Sequence, residues 1–386
     1  MNILSPLFFI MNKYFTKSLF LLISIMFLSC TFDAYEDLNL IDSNLKLNWN
    51  KAYEEDTIEK SILGLQWALS YMGAKLPASL TSITSNSNSI EIDIEILGFN
   101  DLAKQKLNIL HKRIKESNEY RTTGAIDLGR YVTLLIGASE HYYEITGVPN
   151  QLNNLLSNYT LKSEKGYVNN SDVSLEHRII SFSEQRGFNQ LFLSTETDPV
   201  TGNDLEFETV EILHNGQLRF GIFDQNVNRK NNADPTHSNA GKPAKCMWCH
   251  ESSIQPLFSE QNNFDGFLPY PEFRSILLGY RTSHNNLKNT LIDGVDYSQT
   301  QQHTLTELLY ISFMEPSAKR LSIEWGIPLS EVQIKLSDLA THIHEEFPFL
   351  GDLYHRRDVE AYSPFEGLQV SSDVREQSEI EVNYIN

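Results

Sequence analysis

Cysteine is scarce in this chain, with three residues in 386. Cys30 stands near the N-terminus, and Cys246 and Cys249 stand three apart, so no disulfide framework holds the fold together. Bases are outnumbered, 31 Lys and Arg against 50 Asp and Glu. A surface of that sign repels phosphate and excludes nucleic acid as a partner class. Methionine is rare as well: of six, only Met72, Met247 and Met314 follow Cys30. Several catalytic signatures are missing, namely the phosphate-binding loop, the dinucleotide G-x-G-x-x-G, the G-x-S-x-G nucleophile elbow and the zinc-protease H-E-x-x-H. His344-Glu345-Glu346 lacks the second histidine that a zinc protease needs. What remains is ordinary globular composition, 41% hydrophobic and 11% aromatic, enough for two or three packed domains.

The first 29 residues contain no acid and two lysines, Lys13 and Lys17, ahead of the apolar run Ser18 to Leu28. Eleven apolar residues are too few to span a bilayer and suit the core of a signal peptide. Ser29-Cys30 then resembles a bacterial lipobox, with Phe27 in place of the usual Leu. The resemblance implies that residues 1–29 are removed, that Cys30 is lipidated, and that the protein is exported to the periplasm or cell surface and anchored to the membrane by lipid. The remainder carries 50 acids against 29 bases, a surface suited to a basic redox partner protein.

Residues 30–50 read as a polar tether and 51–174 as a helical region. Ile58, Ile62, Leu65, Leu69 and Met72 fall on one helical face, as do Ala103, Leu107, Leu110 and Ile114 with Asn100 or Asp101 as cap. A third helix is expected over Asp127 to Tyr143, and Ile90 to Ile96 alternates like a strand. A small antiparallel β unit is expected over 175–230. Its strands lie near Arg178 to Phe182 and Gln190 to Leu193, and its hairpin turns at Asn215-Gly216 between Val210-x-Ile212 and Leu218-x-Phe220-x-Ile222. Helical patterns resume in 231–352: Pro271 to Leu278, Thr304 to Met314, and a long last helix from Ser330 to Phe347. Residues 353–386 read as an acidic, partly mobile tail. The fold class expected is α+β, mainly α.

The specific motif is Cys246-Met247-Trp248-Cys249-His250. Cysteines at i and i+3 lie one turn apart on a helix face, and a histidine at i+4 projects from the same face. Two thiols can then form thioethers with the two vinyl groups of a haem while the imidazole reaches its iron. The pentapeptide resembles the attachment site of c-type cytochromes. That resemblance implies one covalent haem c bound by Cys246 and Cys249, His250 as axial iron ligand, and a helical, cytochrome c-like haem domain over 231–352. A zinc site, a redox dithiol and a plain disulfide are the alternatives.

Activity turns on the sixth iron position. A Met or His there makes an electron carrier, and an open position admits gas or peroxide. Met314, before Glu315-Pro316, is the methionine candidate; His237, His284, His303, His342 and His344 are the imidazole candidates. Pro256 could orient His250 through its carbonyl. Electron transfer is the first expectation. A haem enzyme or sensor with an open distal site is the second, and a non-catalytic surface binding lipoprotein the third.

Overall fold

Leu45 and Leu47 alternate with polar residues, and that is enough to make a strand where a tether was expected. In the computed structural model, which describes residues 44–77, 83–291, 295–297, 302–371, 374 and 381–386, Asn44–Asn48 forms β1 with both leucines fully buried. The signal peptide and Cys30 lie outside the described residues. α1 follows at Ile58–Tyr71, capped by the Thr57 hydroxyl, which accepts from the Lys60 amide. β2 (Ile83–Asn86) and β3 (Ser89–Asp93) form a hairpin, and β3 pairs antiparallel with β1. α2 (Asp101–Glu116) carries the predicted buried face and the predicted Asn100 cap. α3 (Asn118–Thr123) leads into the two-residue β4 (Ile126–Asp127), parallel to β1. The expected helical region therefore contains a four-stranded mixed sheet, in the order β2-β3-β1-β4.

The helix expected over Asp127 to Tyr143 is broken. α4 covers Leu128–Val132, a π-helical turn covers Thr133–Gly137, Ala138 is extended, and α5 covers Ser139–Thr146. Thr133 Oγ1 donates to the Gly129 carbonyl at 2.8 Å, a side-chain bond that competes with the helical ladder. α6 (Leu152–Leu156) ends the helical part.

The β unit starts earlier than expected. β5 (Gly166–Val168), β6 (His177–Phe182), β7 (Leu191–Thr197), β8 (Asp204–Ile212) and β9 (Leu218–Asp224) form an antiparallel meander in chain order. The Asn215-Gly216 hairpin is present, but only Gly216 takes positive φ (+88°). The Asn215 side chain instead donates to the carbonyls of Ser70 and Ala74 at 2.8 and 2.7 Å, closing the end of α1.

α7 (Pro243–His250) carries the cysteine pair, and α8 (Tyr270–Lys288) runs ten residues past the expected stop at Leu278. Phe273, Leu277 and His284 keep its buried face continuous, so Gly279 is carried inside the helix. α9 (Gln302–Met314) packs between α1 and α4. Two glycines permit that approach: a Cβ on Gly64 would stand 2.8 Å from the Leu305 carbonyl oxygen, and one on Gly129 2.4 Å from Phe313 Cβ.

α10 (Ala318–Trp325) and α11 (Leu329–Lys335) follow, and the long helix expected to Phe347 stops at Lys335. His342 and Leu353 exchange both backbone hydrogen bonds, at 3.0 and 2.9 Å, which commits that segment to an extended bridge. α12 (Arg356–Val359) sets Arg356 beside Arg130 and Arg320, and all three guanidiniums lie within 4.0 to 5.5 Å of the Phe313 ring centroid. Glu324 bridges Arg320 and Arg356, Asp127 pairs with Arg320, and Glu119 with Arg130. The tail expected to be mobile is docked at its described positions. Glu381 pairs with buried Lys242 at 2.7 Å, the Tyr384 amide donates to His141 Nε2, and Ile385 is buried. Residues 43–386 thus form one compact unit of mixed α+β structure.

Candidate functional site

Lys242 is extended and Pro243 takes the first helical position, so α7 begins where proline's fixed φ and missing N–H do no harm. One face of α7 is anchored. Ala244 and Met247 are fully buried, and the Tyr71 hydroxyl donates to the Met247 carbonyl at 3.3 Å. The other face carries Cys246, Cys249 and His250 at the expected spacing, and all three line a single cavity. Cys246 is half-buried, Cys249 is exposed, and neither is in a disulfide.

The cavity encloses about 1030 Å³ including its open mouth. Most of that space is the open mouth, so the site is a cleft at the surface and not an enclosed chamber. A second wall is one face of the five-stranded sheet, where strand register sets the neighbours in rows. Phe192 pairs with Val210 and Val210 with Phe220; one row along, Ile180 pairs with Ser194 and Ser194 with Glu208. The Phe220 ring packs against the His250 imidazole at 5.6 Å. Ile254, Leu257 and Phe258 of the α7–α8 loop and Leu277 of α8 complete an apolar lining.

The loop after His250 is held tightly. Glu251 and Ser252 both take the left-handed conformation, φ 48° and 57°, which costs non-glycine residues on the order of 1 kcal/mol or more each. Lys288 of α8 donates its ammonium to the Ser252 carbonyl at 2.8 Å from a buried position above the Tyr297 ring. Gln255 donates to the Cys249 carbonyl at 3.0 Å. These contacts set the direction in which His250 leaves α7.

Burial pushes the His250 imidazole down to about 4, so the ring is neutral at neutral pH and its nitrogens can bind a metal. Its Nδ1 is buried and unpartnered. The Pro256 carbonyl expected to take that proton lines the cavity but makes no such bond. Burial also pushes the Cys246 thiol well up, the reverse of what a redox dithiol needs. Among the described residues no group of three or more His, Cys, Asp or Glu is arranged to hold an ion.

The structure brings Cys246, Cys249 and His250 together and leaves Met314 out. Met314 is buried at the end of α9 and does not line the cavity, because its helix face packs into the core beside Phe313. Trp248 likewise turns from the cavity to pack on Tyr310 at 5.4 Å. The histidine candidates are engaged elsewhere. His284 bonds the Gly216 carbonyl at 2.9 Å, His303 lies 3.2 Å from Glu251, His342 lies 2.7 Å from Glu315, and His344 stacks on Phe347. His237 lies 3.9 Å from Glu176, off the lining.

Sequence reasoning missed Arg178, Ser194 and Glu208, the polar groups of the sheet wall. Arg178 donates to Glu208 Oε1 at 3.3 Å and to Ser238 Oγ at 3.1 Å, while buried Glu196 holds its Nε from behind. Their signal was the alternation of β8, in which Glu208 falls on the same face as Val210. No protein-family model, curated protein or solved structure matches this chain.

Proposed function

We propose that this chain is a c-type haem protein whose haem is attached to Cys246 and Cys249, has His250 as axial ligand, and leaves its second iron face open to a small exogenous ligand. The observation that carries the reading is that two thiols and a neutral imidazole from one helix face line one largely apolar cleft. The apolar side chains of Ile180, Phe192 and Val210 on the sheet wall suit the face of a macrocycle, and the Nδ1 of His250 has no hydrogen-bond partner. Haem supplies a redox-active iron; the protein supplies the thioether anchors, the axial base and the apolar walls. What supports an open face is the described lining, in which His250 is the only imidazole and no methionine takes part. On this reading β6, β7 and β8 wall the haem site together with α7.

Electron transfer to a redox partner protein is the second reading. Exposed Cys249 favours it, because a haem bonded there presents an edge to solvent. Export and lipid anchoring through Cys30 belong to the same proposal. Among the described residues no helix is long and apolar enough to cross a membrane. The experiment is a spectrum of the full chain matured in the periplasm of a bacterium that attaches haem c. A high-spin ferric spectrum and carbon monoxide binding to the reduced protein support the open face. A low-spin protein inert to carbon monoxide returns the assignment to electron transfer.

A further inference from the structure

Residues 381–386 have no regular structure, and they are fastened both to α5 and to the residue before α7. Ala138 leads into α5 without a side-chain cap, and the Glu381 carboxylate takes over that role: its Oε2 accepts from the Glu140 amide at 3.3 Å. Its Oε1 pairs with the Lys242 ammonium at 2.7 Å, and both side chains are buried. Lys242 immediately precedes Pro243, the first residue of α7. One carboxylate thus ties the start of α5 to the start of the helix that carries Cys246, Cys249 and His250. The Lys242 amide adds a bond to the Val374 carbonyl at 3.3 Å. Farther along, the Tyr384 amide lies 2.9 Å from His141 Nε2, and Ile385 is buried. The other nitrogen of that fully buried imidazole, Nδ1, lies 2.6 Å from the Leu134 carbonyl oxygen. A carbonyl only accepts, so Nδ1 carries the proton and Nε2 is the bare acceptor that the Tyr384 amide needs. An imidazolium there would turn a second N–H against the Tyr384 N–H, and the bond would be lost.

We propose that the C-terminal segment is a clasp on α7, held shut by neutral His141 and opened when that imidazole takes a proton. A bound cofactor plays no part in it. Burial lowers the His141 pKa from its ordinary value, with the Leu134 carbonyl and Glu381 opposing the shift, so the closed form is the resting one at neutral pH. In the opened form the ring meets water and takes its proton at the ordinary value. Opening therefore grows as pH falls through that value, because the open state binds the proton more tightly than the closed one. The charged groups that face the clasp are Glu381 of the tail, Glu140 of α5, Lys242 before α7, Arg229 on Glu140, Arg130 of α4 toward Tyr384, and Lys106 of α2 on Asn386. Each of the two acids is matched by a cation, Glu381 by Lys242 and Glu140 by Arg229. Burial raises the Tyr143 and Tyr384 hydroxyls, which stay neutral throughout. His141 is thus the group whose protonation acts on the Tyr384 bond directly. A chain end without regular structure opens locally at lower cost than the sheet. When it leaves, the first turn of α7 loses the ion pair that seats it.

The test is hydrogen exchange of the full chain, followed by mass spectrometry between pH 5 and 7.5 and corrected for the intrinsic rate of each amide. In the native protein the protection of 381–386 should fall below about pH 6.5, approaching about tenfold per pH unit, the slope of a single proton. His141→Gln offers an acceptor that does not titrate, so its tail should keep the same protection across the range. Glu381→Gln should lower the protection of 381–386 and of 243–250 tenfold or more at pH 7 while β7 and β8 keep theirs, and it should retain the fall in acid. Native tail protection that is flat from pH 5 to 7.5, or a fall of equal slope in His141→Gln, overturns the role of His141. Unchanged protection of 243–250 in Glu381→Gln overturns the clasp on α7, and so does an equal loss in β7 and β8, which marks general destabilisation. If His141→Gln does not fold, the native pH slope and Glu381→Gln still decide.

Discussion

Lys288 offers a quantitative test of the packing behind the site. Its ammonium sits under the α7–α8 loop, bonded to the Ser252 carbonyl at 2.8 Å and 4.7 Å from the Tyr297 ring centroid. Burial lowers its pKa from 10.5 to about 8. In the unfolded chain the lysine keeps its ordinary value. Between pH 8 and 10.5 the unfolded state therefore holds a proton that the folded state has released. Unfolding free energy rises with pH wherever the unfolded state binds more protons, so folding stability increases through this window. Below pH 8 both states are charged, and the cost of the buried charge is constant. The window is about 2.5 pH units wide, and each unit is worth about 1.4 kcal/mol, giving about 3 kcal/mol from this one group. Lys288→Met removes the titration and leaves the Ser252 carbonyl unpaired, a cost of about 1–3 kcal/mol that does not vary with pH. Urea unfolding of both proteins at pH 7.5, 9 and 10.5 measures the difference. The native protein should gain about 3 kcal/mol relative to Lys288→Met across that range. A difference that stays flat, or one that grows as pH falls, refutes the placement of a buried ammonium at Ser252.

Other perturbations test other parts of the account. Burial opposes ionisation of Glu324, but Arg356 and Arg320 overcome it and hold the carboxyl at about 2. The ordinary value is 4.5, so Glu324 contributes about 3 kcal/mol above pH 4.5 that disappears as pH falls through about 2. Glu324→Gln should cost about 3–5 kcal/mol at pH 7, read by denaturant unfolding, because it leaves buried guanidiniums uncompensated; a loss below 1 kcal/mol would contradict the network. Gly129→Ala should force α4 from α9 and cost about 1–3 kcal/mol, since its Cβ would meet Phe313 Cβ at 2.4 Å. Met314→Leu should leave the spectrum of the haem-loaded protein unchanged and alter stability by less than about 1.5 kcal/mol, because Met314 packs in the core away from the cavity. A spectral change in that variant would restore Met314 as an iron ligand.

Local chemistry in the sequence carried the helices with clean periodicity and the motif they support. Ala103, Leu107, Leu110 and Ile114 all line the buried face of α2, and Asn100 caps it as expected. β6 to β9 follow the alternation read from residues 178–222. Failures came where a long-range partner decides. The segment after Lys335 has helical spacing at Leu336, Leu339 and Ile343, but the bridge between His342 and Leu353 makes it extended and leaves Ile343 exposed. The acidic tail lacks periodicity, yet Glu381 neutralises buried Lys242 in a contact more than a hundred residues away. The candidate site divides in the same way. Cys246, Cys249 and His250 share one helix and are legible from spacing; Arg178, Ser194 and Glu208 come from three strands and meet the cavity only once the sheet register is set. Met314 ends α9 just before Glu315-Pro316, and the buried face of that helix turns it into the core.

The central claim is that Cys246 and Cys249 hold a haem in this cavity with His250 on its iron. The most direct measurement is a pyridine haemochrome spectrum with intact-protein mass of the denatured full chain after maturation in the periplasm of a haem c-attaching bacterium. One haem per chain that stays bound through denaturation, with a spectrum of two thioether bonds and loss of that signature in Cys249→Ser, is the predicted result. A denatured chain that carries no haem, with free thiols or a Cys246–Cys249 disulfide, contradicts it.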